Sequence, residues 1–269
     1  MGDTGGTRRA TAELTRSVRA AYDAAPRSWE AGPEPVYVAM ANALAAHVAP
    51  LLTGARVLDL GAGTGVAGRA AVAVGATEVA AADLAVEPLR RCRPPLRPVA
   101  ADATALPFRD QSFDVVLAAF SLTHAGRLDV ALAESRRVGR ALAATAFAPG
   151  WGHPAKTAVD AVLARFGYWP PPWYLTFKQD AEPQLGDTPL VHQLALDAGY
   201  RRVESRVIAV PTGLSTSAEL AAWRLGMAHI APFAGSLDIE RQAELRLAAE
   251  DAVDGCEPLV VDVLVHVAT

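Results

Sequence analysis

The 269-residue chain is poor in cysteine and in long apolar runs. Its two cysteines, Cys92 and Cys256, lie far apart and form no metal-ligand spacing, so we expect neither a metal site nor a disulfide framework. Apolar runs such as residues 70–76 are far too short to cross a bilayer. No apolar segment of a secretory signal follows Arg8 and Arg9. These absences predict a protein of the reducing cytoplasm without a membrane partner.

Lysine is scarce as well, because Lys156 and Lys178 are the only lysines among 25 basic residues. We attribute the preference for arginine to a GC-rich genome. The net charge of −4 provides no broad basic field, which disfavours binding to a nucleic-acid backbone. A small-molecule partner fits this composition better, and the sequence leaves the oligomeric state open.

The most informative stretch is residues 57–65, which read Val-Leu-Asp-Leu-Gly-Ala-Gly-Thr-Gly. The glycines let the backbone bend tightly and approach a ligand closely. Residues 63–68 also match a dinucleotide pattern, and Asp83 follows at about the distance that a ribose contact needs. However, Asp59 would repel a pyrophosphate and would favour a cation. S-adenosylmethionine, which has a sulfonium and an ammonium but no phosphate, is the expected cofactor, and a dinucleotide-dependent oxidoreductase is the weaker alternative.

Further motifs follow in order along the chain. Residues 102–108 read Asp-Ala-Thr-Ala-Leu-Pro-Phe, and residues 112–114 read Ser-Phe-Asp. Together with residues 58–65 and the Asp83-Leu84 pair, they resemble the successive motifs of class I S-adenosylmethionine-dependent methyltransferases, in the branch of ubiquinone and menaquinone biosynthesis enzymes. The resemblance spans roughly residues 55–147.

The resemblance implies a role for each motif. The turn at residues 61–65 would lie against the methionine moiety and the ribose, and Asp83 would accept hydrogen bonds from both ribose hydroxyls. Leu84 would cover an adenine face, while Asp102 and the Ala103 amide would bind the adenine edge. The full set of predicted cofactor-binding residues is Tyr22, Asp59, Gly61, Ala62, Gly63, Asp83, Leu84, Asp102, Ala103 and Ala119.

Two of these residues lie outside the motifs. The backbone near Ala119, at the end of the fourth predicted strand, would meet the methionine ammonium. Tyr22 is in a setting that resembles the N-terminal helix of this branch, where an early tyrosine closes over the cofactor. Simple packing of an amphipathic helix is the alternative role for Tyr22.

Alternating patterns predict an α/β fold, a parallel sheet with helices on both faces. The predicted strands are residues 56–60, 79–83, 96–100, 114–120, 141–147, 202–211 and 259–267. The predicted helices are residues 12–24, 34–51, 66–74, 86–91, 128–138, 190–198, 217–228 and 239–253. The resemblance implies a Rossmann-like seven-stranded sheet of order 3-2-1-4-5-7-6 with an antiparallel last strand.

We expect residues 1–269 to form a single domain with a helical and aromatic cap. Its predicted parts are an N-terminal helical cap (10–50), a cofactor-binding core (51–148), two cap insertions (149–187 and 215–255) and two segments that complete the sheet (188–214 and 256–269). One departure from the family follows Val138, where the usual Leu-Arg-Pro-Gly-Gly turn is reduced to Gly139-Arg140. This departure leaves the loop geometry there open.

The two insertions carry most of the large aromatic side chains outside the motifs, including a cluster around Pro170-Pro171-Pro172. Both insertions follow strand ends on the cofactor side, so they could form a lid over the acceptor. The alternative is that these rings only pack the insertions onto the core. The residues predicted to bind the acceptor are Trp29, Trp151, Trp173, Tyr174 and His229.

Methyl transfer needs little acid–base help, because the sulfonium is already activated. A base helps when the acceptor is a hydroxyl, and His124, just past the fourth strand, is the best-placed candidate. A structural or positioning role is the alternative for His124. We therefore predict a small-molecule methyltransferase of bacterial specialised metabolism, with oxygen as the favoured acceptor atom. A protein that keeps this cofactor pocket but performs a cyclisation is the alternative.

Overall fold

The computed structural model describes residues 4–24 and 26–269 of the chain, and side chains from residue 14 onward except those of residues 25 and 26. Residues 1–3 and 25, part of the predicted 1–269 domain, lie outside the described residues. The strands are β1 (Arg56–Leu60), β2 (Glu78–Asp83), β3 (Arg97–Ala100), β4 (Phe113–Ala119), β5 (Gly139–Phe147), β6 (Val203–Pro211) and β7 (Val260–Ala268).

These strands form one seven-stranded sheet of order β3-β2-β1-β4-β5-β7-β6. The first five strands are parallel, and β7 runs antiparallel to both β5 and β6. The predicted fold class and strand order are therefore confirmed. The chain reaches β7 only after the long segment between β6 and β7, which is helical and corresponds to the second predicted insertion.

Helices surround the sheet. They are α1 (Thr4–Ala24), α2 (Pro26–Ala31), α3 (Glu34–His47), α4 (Ala49–Leu52), α5 (Val66–Ala73), α6 (Val86–Leu89), α7 (Leu128–Val138), α8 (Pro154–Arg165), α9 (Pro172–Thr176), α10 (Glu182–Gly186), α11 (Thr188–Asp197), α12 (Ser217–Leu225), α13 (Ala231–Ser236) and α14 (Ile239–Ala252). A 3₁₀ turn (Leu122–His124) follows β4, and a π-helical turn (Phe177–Ala181) joins α9 to α10.

Two hydrophobic cores lie on opposite faces of the sheet, because side chains alternate along each strand. Val57 belongs to the core that also contains residues of α3, α5, α8, α12 and α14. Its neighbour Leu58 belongs to the core that contains residues of α7, α10 and α11. Both residues are fully buried, so β1 is a central strand that is covered on both faces.

Several helix boundaries differ from the predicted ones. The first helix begins at Thr4 rather than residue 12, and the predicted helix 34–51 is divided at Val48 into α3 and α4. No loop separates α7 from β5, because β5 begins at Gly139, the residue directly after the helix. A Cβ on Gly139 would lie 2.6 Å from Val116 Cγ2, so the tight connection requires glycine.

The parallel register places the ends of the first four strands at one edge of the sheet. Leu60 at the end of β1 pairs with Ala82 of β2, and the amides of Gly61 and Ala62 donate to the Ala82 carbonyl at 2.7 and 3.0 Å. Ligands of such sheets bind at the carboxyl ends of the strands. The candidate site is therefore sought at this edge.

Candidate active site

The turn between β1 and α5 is built from glycines with left-handed backbone angles. Gly61, Gly63 and Gly65 have φ values of 71°, 54° and 84°, which other residues rarely adopt. At Gly61 a Cβ would lie 2.2 Å from Ser121 Cβ, so the ends of β1 and β4 can meet only with glycine there. The Ser121 hydroxyl donates to the Leu60 carbonyl at 2.5 Å and joins the two strand ends.

Asp59 lies just before this turn and is almost completely buried. Its Oδ2 accepts a hydrogen bond from the Gly68 amide at 2.7 Å, which joins the end of β1 to the first turns of α5. Burial raises the pKa of Asp59 to about 7, against the lowering effect of the Gly68 hydrogen bond. A cation bound beside this carboxylate would favour its ionised form.

Two further carboxylates lie at strand ends, one on the last residue of β2 and one two residues after β3. Asp83 accepts from the Gly63 amide through Oδ2 and from the Ala85 amide through Oδ1, both at 2.7 Å. Each of these oxygens has a second lone pair available for a hydroxyl. Asp102 accepts from the amide and the hydroxyl of Thr104 through Oδ1 alone, so Oδ2 has no partner among the described side chains and amides.

A first cavity of about 160 Å³ lies over these strand ends, beneath α1. All ten residues predicted to bind the cofactor line it, and so does His124. Trp29 was predicted to bind the acceptor, but it lies on the wall of this first cavity, beside Tyr22 and Tyr37. Carboxylates at three strand ends and a glycine turn fit a ligand that presents a cation and ribose hydroxyls, and they would repel a pyrophosphate.

A second cavity of about 530 Å³ adjoins the first. Four of the residues predicted to bind the acceptor, Trp151, Trp173, Tyr174 and His229, line this second cavity. Its volume lies in the range of about 300–1,000 Å³ that is typical of small-molecule sites. The residues shared by the two cavities are Tyr22, Tyr37, Phe120, His124 and Ala228.

Stacked rings form much of the wall of the second cavity. Tyr174 lies parallel to His229 with 3.6 Å between ring centroids, and Phe147 stacks on Trp151 at 5.0 Å. The Trp151 indole N–H donates to the Val260 carbonyl at 3.1 Å, which fixes this ring against β7. The rings therefore line the cavity and pack the insertion onto the core at the same time.

His124 lies at the junction between the two cavities. Its Nε2 is 3.4 Å from the Tyr22 hydroxyl oxygen, and its ring stacks on Phe177 with centroids 4.5 Å apart. Nδ1 is buried and has no hydrogen-bond partner among the described residues. Burial lowers the pKa of His124 to about 4, so the imidazole is neutral at neutral pH.

Phe120 also lies at this junction, although it was not among the predicted site residues. It follows β4 with φ 57°, a left-handed conformation that is costly for a bulky residue. The Thr145 hydroxyl oxygen accepts from the Phe120 amide at 3.1 Å, and the ring packs between Tyr37 and Phe147. No local pattern in the sequence marks this turn, because glycine is absent from it.

Charged side chains form the part of the second cavity that the sequence analysis missed. Lys156, Lys178 and Arg224 line it together with Glu182 and Asp187. The signal available in the sequence was the scarcity of lysine, since the chain's only two lysines both lie here. No group of three or more His, Cys, Asp or Glu side chains suited to a metal ion occurs in the described part of the chain, this cavity included. Within the same part, no helix has the length and apolar character needed to cross a membrane.

Comparison with known proteins supports one class of enzyme. Residues 58–144, which contain the glycine turn, β4 and the start of β5, match the family model of a methyltransferase domain. A crystal structure described as a methyltransferase from an antibiotic biosynthesis pathway of Anabaena variabilis superposes with a TM-score of 0.59 at 18% identity, over 86% of this chain and 96% of that chain. At this identity the likeness shows the fold alone.

Curated relatives extend the match. A demethylmenaquinone methyltransferase of Beutenbergia cavernae is 33% identical over 58% of this chain and 72% of its own length. A demethylmenaquinone methyltransferase of Renibacterium salmoninarum is 39% identical over 42% of this chain, and the match spans about half of that relative, 49%. The chain belongs to the class I S-adenosylmethionine-dependent methyltransferases.

Proposed function

We propose that this protein transfers the methyl group of S-adenosylmethionine to a hydroxyl of a small, planar acceptor bound in the second cavity. The observation that carries the proposal is the junction of the two cavities at His124, Tyr22 and Phe120. The first cavity supplies what the cofactor needs, and the second opens from it where a methyl group would be presented. Bacterial relatives whose names specify demethylmenaquinone support a small-molecule acceptor. We extend the proposal to bacterial specialised metabolism.

In this proposal the cofactor-binding residues act by hydrogen bonding and charge. Asp83 would accept from the ribose hydroxyls, Asp102 Oδ2 would accept from the adenine amine, and Asp59 would lie on the side of the methionine cation. Bound S-adenosylmethionine supplies an activated methyl group, so the chain does not need to activate the donor. The remaining task of the protein is to align the acceptor and to exclude water.

His124 would orient the acceptor hydroxyl. A neutral imidazole accepts a hydrogen bond, and the long 3.4 Å contact to Tyr22 leaves Nε2 able to exchange that partner for an acceptor oxygen. With a pKa of about 4 the imidazole is a weak base. It would therefore take up the proton only as transfer of the methyl group makes the hydroxyl acidic.

Labelled transfer tests this function. The protein is incubated with S-adenosylmethionine carrying a trideuterated methyl group and a panel of planar phenols, hydroxyquinones and phenolic carboxylates, and products are detected by mass spectrometry. The expected result is S-adenosylhomocysteine together with a product in which the label is on oxygen. Label on nitrogen or carbon would contradict the choice of acceptor atom, and the absence of transfer across the panel would contradict the function.

A second candidate is a cyclase that uses the same cavities without methyl transfer. The weak basicity of both cavity histidines favours it, because burial lowers the pKa of His124 to about 4 and also lowers the pKa of His229. A cyclisation that needs no proton transfer would not require a stronger base. This candidate predicts conversion of a linear polyene by protein loaded with S-adenosylhomocysteine, whereas methyl transfer would stop under that condition.

A further inference from the structure

The second cavity combines aromatic walls with three cationic side chains. Lys156, Lys178 and Arg224 all line it, and the two lysines are the only ones in a chain whose other basic residues are arginines. An ammonium is a compact charge with three donors on a flexible stem, and it pairs readily with carboxylate oxygens. The arginine-rich composition of the chain does not explain why both lysines line one cavity.

Two of the three cations already have partners. Arg224 donates from Nε to Asp160 Oδ1 at 2.7 Å and from Nη2 to Asp160 Oδ2 at 3.0 Å. Lys178 forms an ion pair with Glu182 one turn further along the chain. These pairs satisfy two positive charges and engage two of the acids near the cavity.

Lys156 differs from both. Its ammonium makes no hydrogen bond or ion pair with any residue in the described part of the chain. Burial is the main factor that lowers the pKa of Lys156, followed by repulsion from Arg224 and Lys178, and these effects outweigh attraction to Asp160 and Glu182. An ammonium that is partly buried without a partner is costly, and an anion placed beside it would remove much of that cost.

The remaining acid of the cavity wall accepts a hydrogen bond from a backbone amide. Asp187 caps α11, where its Oδ1 accepts from the Leu190 amide at 3.1 Å. Glu182 is committed to Lys178, and Asp160 to Arg224. Among the described residues around the second cavity, Lys156 is therefore the cation that pairs with no carboxylate.

The rings of the same cavity specify the rest of the ligand. Tyr174 and His229 are almost parallel, with 6° between their planes, and Phe147 and Trp151 are within 10° of parallel. In each pair one ring covers a face of the other, and the pairs together line the cavity with flat aromatic surface that suits a flat ligand. A ligand with a flat body and one anionic substituent would satisfy both the stacked rings and the unpaired ammonium.

We propose that the acceptor is a planar aromatic carboxylate that also carries the methyl-accepting hydroxyl, and that its anionic group pairs with Lys156. This inference rests on the proposed function, because it names the class of molecule that occupies the second cavity. It assigns Lys156 as a specificity-determining residue. The stacked rings select for shape, and Lys156 selects for charge.

The test uses two probes that have the same shape and different charge, naphthalene-2-carboxylate and naphthalene-2-carboxamide. Each is titrated calorimetrically into the full-length protein saturated with S-adenosylhomocysteine. We expect the wild-type protein to bind the carboxylate about tenfold more tightly than the amide, which corresponds to about 1.4 kcal/mol. The Lys156→Met variant should lose this preference, and the Lys156→Arg variant should retain most of it.

Arg246→Met is the matched control, because it removes an exposed positive charge that does not line the cavity, and it should leave the preference unchanged. Equal binding of the two probes by the wild-type protein, an unchanged preference in Lys156→Met, or binding of neither probe would each overturn the proposal. Melting curves show whether each variant is folded, and Lys156→Arg provides the comparison if Lys156→Met is not. Binding of S-adenosylhomocysteine and labelled transfer are measured separately, so failure of the methyltransferase function is distinguished from failure of this inference.

Discussion

The first and second cavities are built by different means. The first is lined by the glycine turn and by carboxylates at the strand ends, together with rings such as Tyr22 and Trp29. The second is lined mainly by large rings and charged side chains from β5, α8, the α9 region and the helices between β6 and β7. Under the proposed function, the strand ends would hold the donor, and side chains of the insertions would select the acceptor.

The largest effect on the first cavity should come from substitution of Asp83. The Asp83→Ala variant should bind S-adenosylhomocysteine about 100-fold more weakly, because two hydrogen bonds to a charged acceptor are lost, at a combined cost of about 3 kcal/mol. Calorimetric titration measures the effect. Binding of planar probes to the second cavity should be unchanged.

Glu78→Ala is the matched control for this experiment, since Glu78 lies at the opposite end of the same strand and is exposed. Because Asp83 also accepts from the Gly63 and Ala85 amides, a melting curve shows whether the loop is intact. Full cofactor affinity in a folded Asp83→Ala protein would contradict the assignment of the first cavity.

Substitution of His124 tests the junction itself. The His124→Ala variant should lower kcat by about 10- to 100-fold while the affinity for S-adenosylhomocysteine stays constant, because the residue orients the acceptor and not the donor. His124→Gln, which keeps a hydrogen-bond acceptor, should recover part of the loss. A kcat that does not change in either variant would assign His124 to packing against Phe177 alone.

The pH dependence of kcat provides a second test of His124. The pKa of His124 is lowered to about 4, so the imidazole is neutral above that pH and protonated below it. At saturating S-adenosylmethionine, which removes the effect of cofactor affinity, kcat should therefore be constant from pH 5 upward and fall only as the pH drops through about 4. A decline centred near 6.5 would show an exposed histidine and would contradict this environment.

The same contrast explains what the sequence could predict. The strand order and the positions of Tyr22 and Ala119 were implied by the family resemblance. The other residues predicted to bind the cofactor could be placed in the first cavity because glycine turns and strand-end acids are local patterns, with each motif adjacent to its strand. Trp29, which was predicted to bind the acceptor, lines the first cavity, and Lys156 and Phe120 were not predicted, because the positions of these residues depend on how distant segments pack. Phe120 takes a left-handed conformation without glycine, so no local pattern reveals its turn.

A smaller effect, on the KM for the acceptor, is expected from a substitution in the second cavity. The Tyr174→Ala variant should raise the KM for the acceptor found by labelled transfer about tenfold, because it removes one face of the stacked pair with His229. Trp169→Ala is the matched control, since that neighbouring ring is 80% exposed. Equal effects of the two substitutions, or a change in cofactor affinity, would contradict the separation between the two cavities.

The smallest and most informative effect concerns Asp59. Burial raises the pKa of this carboxyl to about 7, so in the free protein it is half protonated near neutral pH. A cationic ligand favours the ionised form, and affinity for S-adenosylmethionine should therefore rise severalfold as the pH increases from 5.5 to 7.5. The Asp59→Asn variant keeps the acceptor for the Gly68 amide but carries no charge, so its affinity should be weaker at pH 7.5 and nearly independent of pH.

Asp110→Asn, which removes an exposed acid elsewhere, is the control and should reproduce the wild-type profile. The comparison between S-adenosylmethionine and S-adenosylhomocysteine then separates the two positive charges of the cofactor, because only the former carries a sulfonium. A steeper pH dependence for S-adenosylmethionine would locate the sulfonium in the field of Asp59. Equal slopes would assign the effect to the ammonium that both ligands share, and flat profiles for both would show that Asp59 serves only to hold β1 against α5.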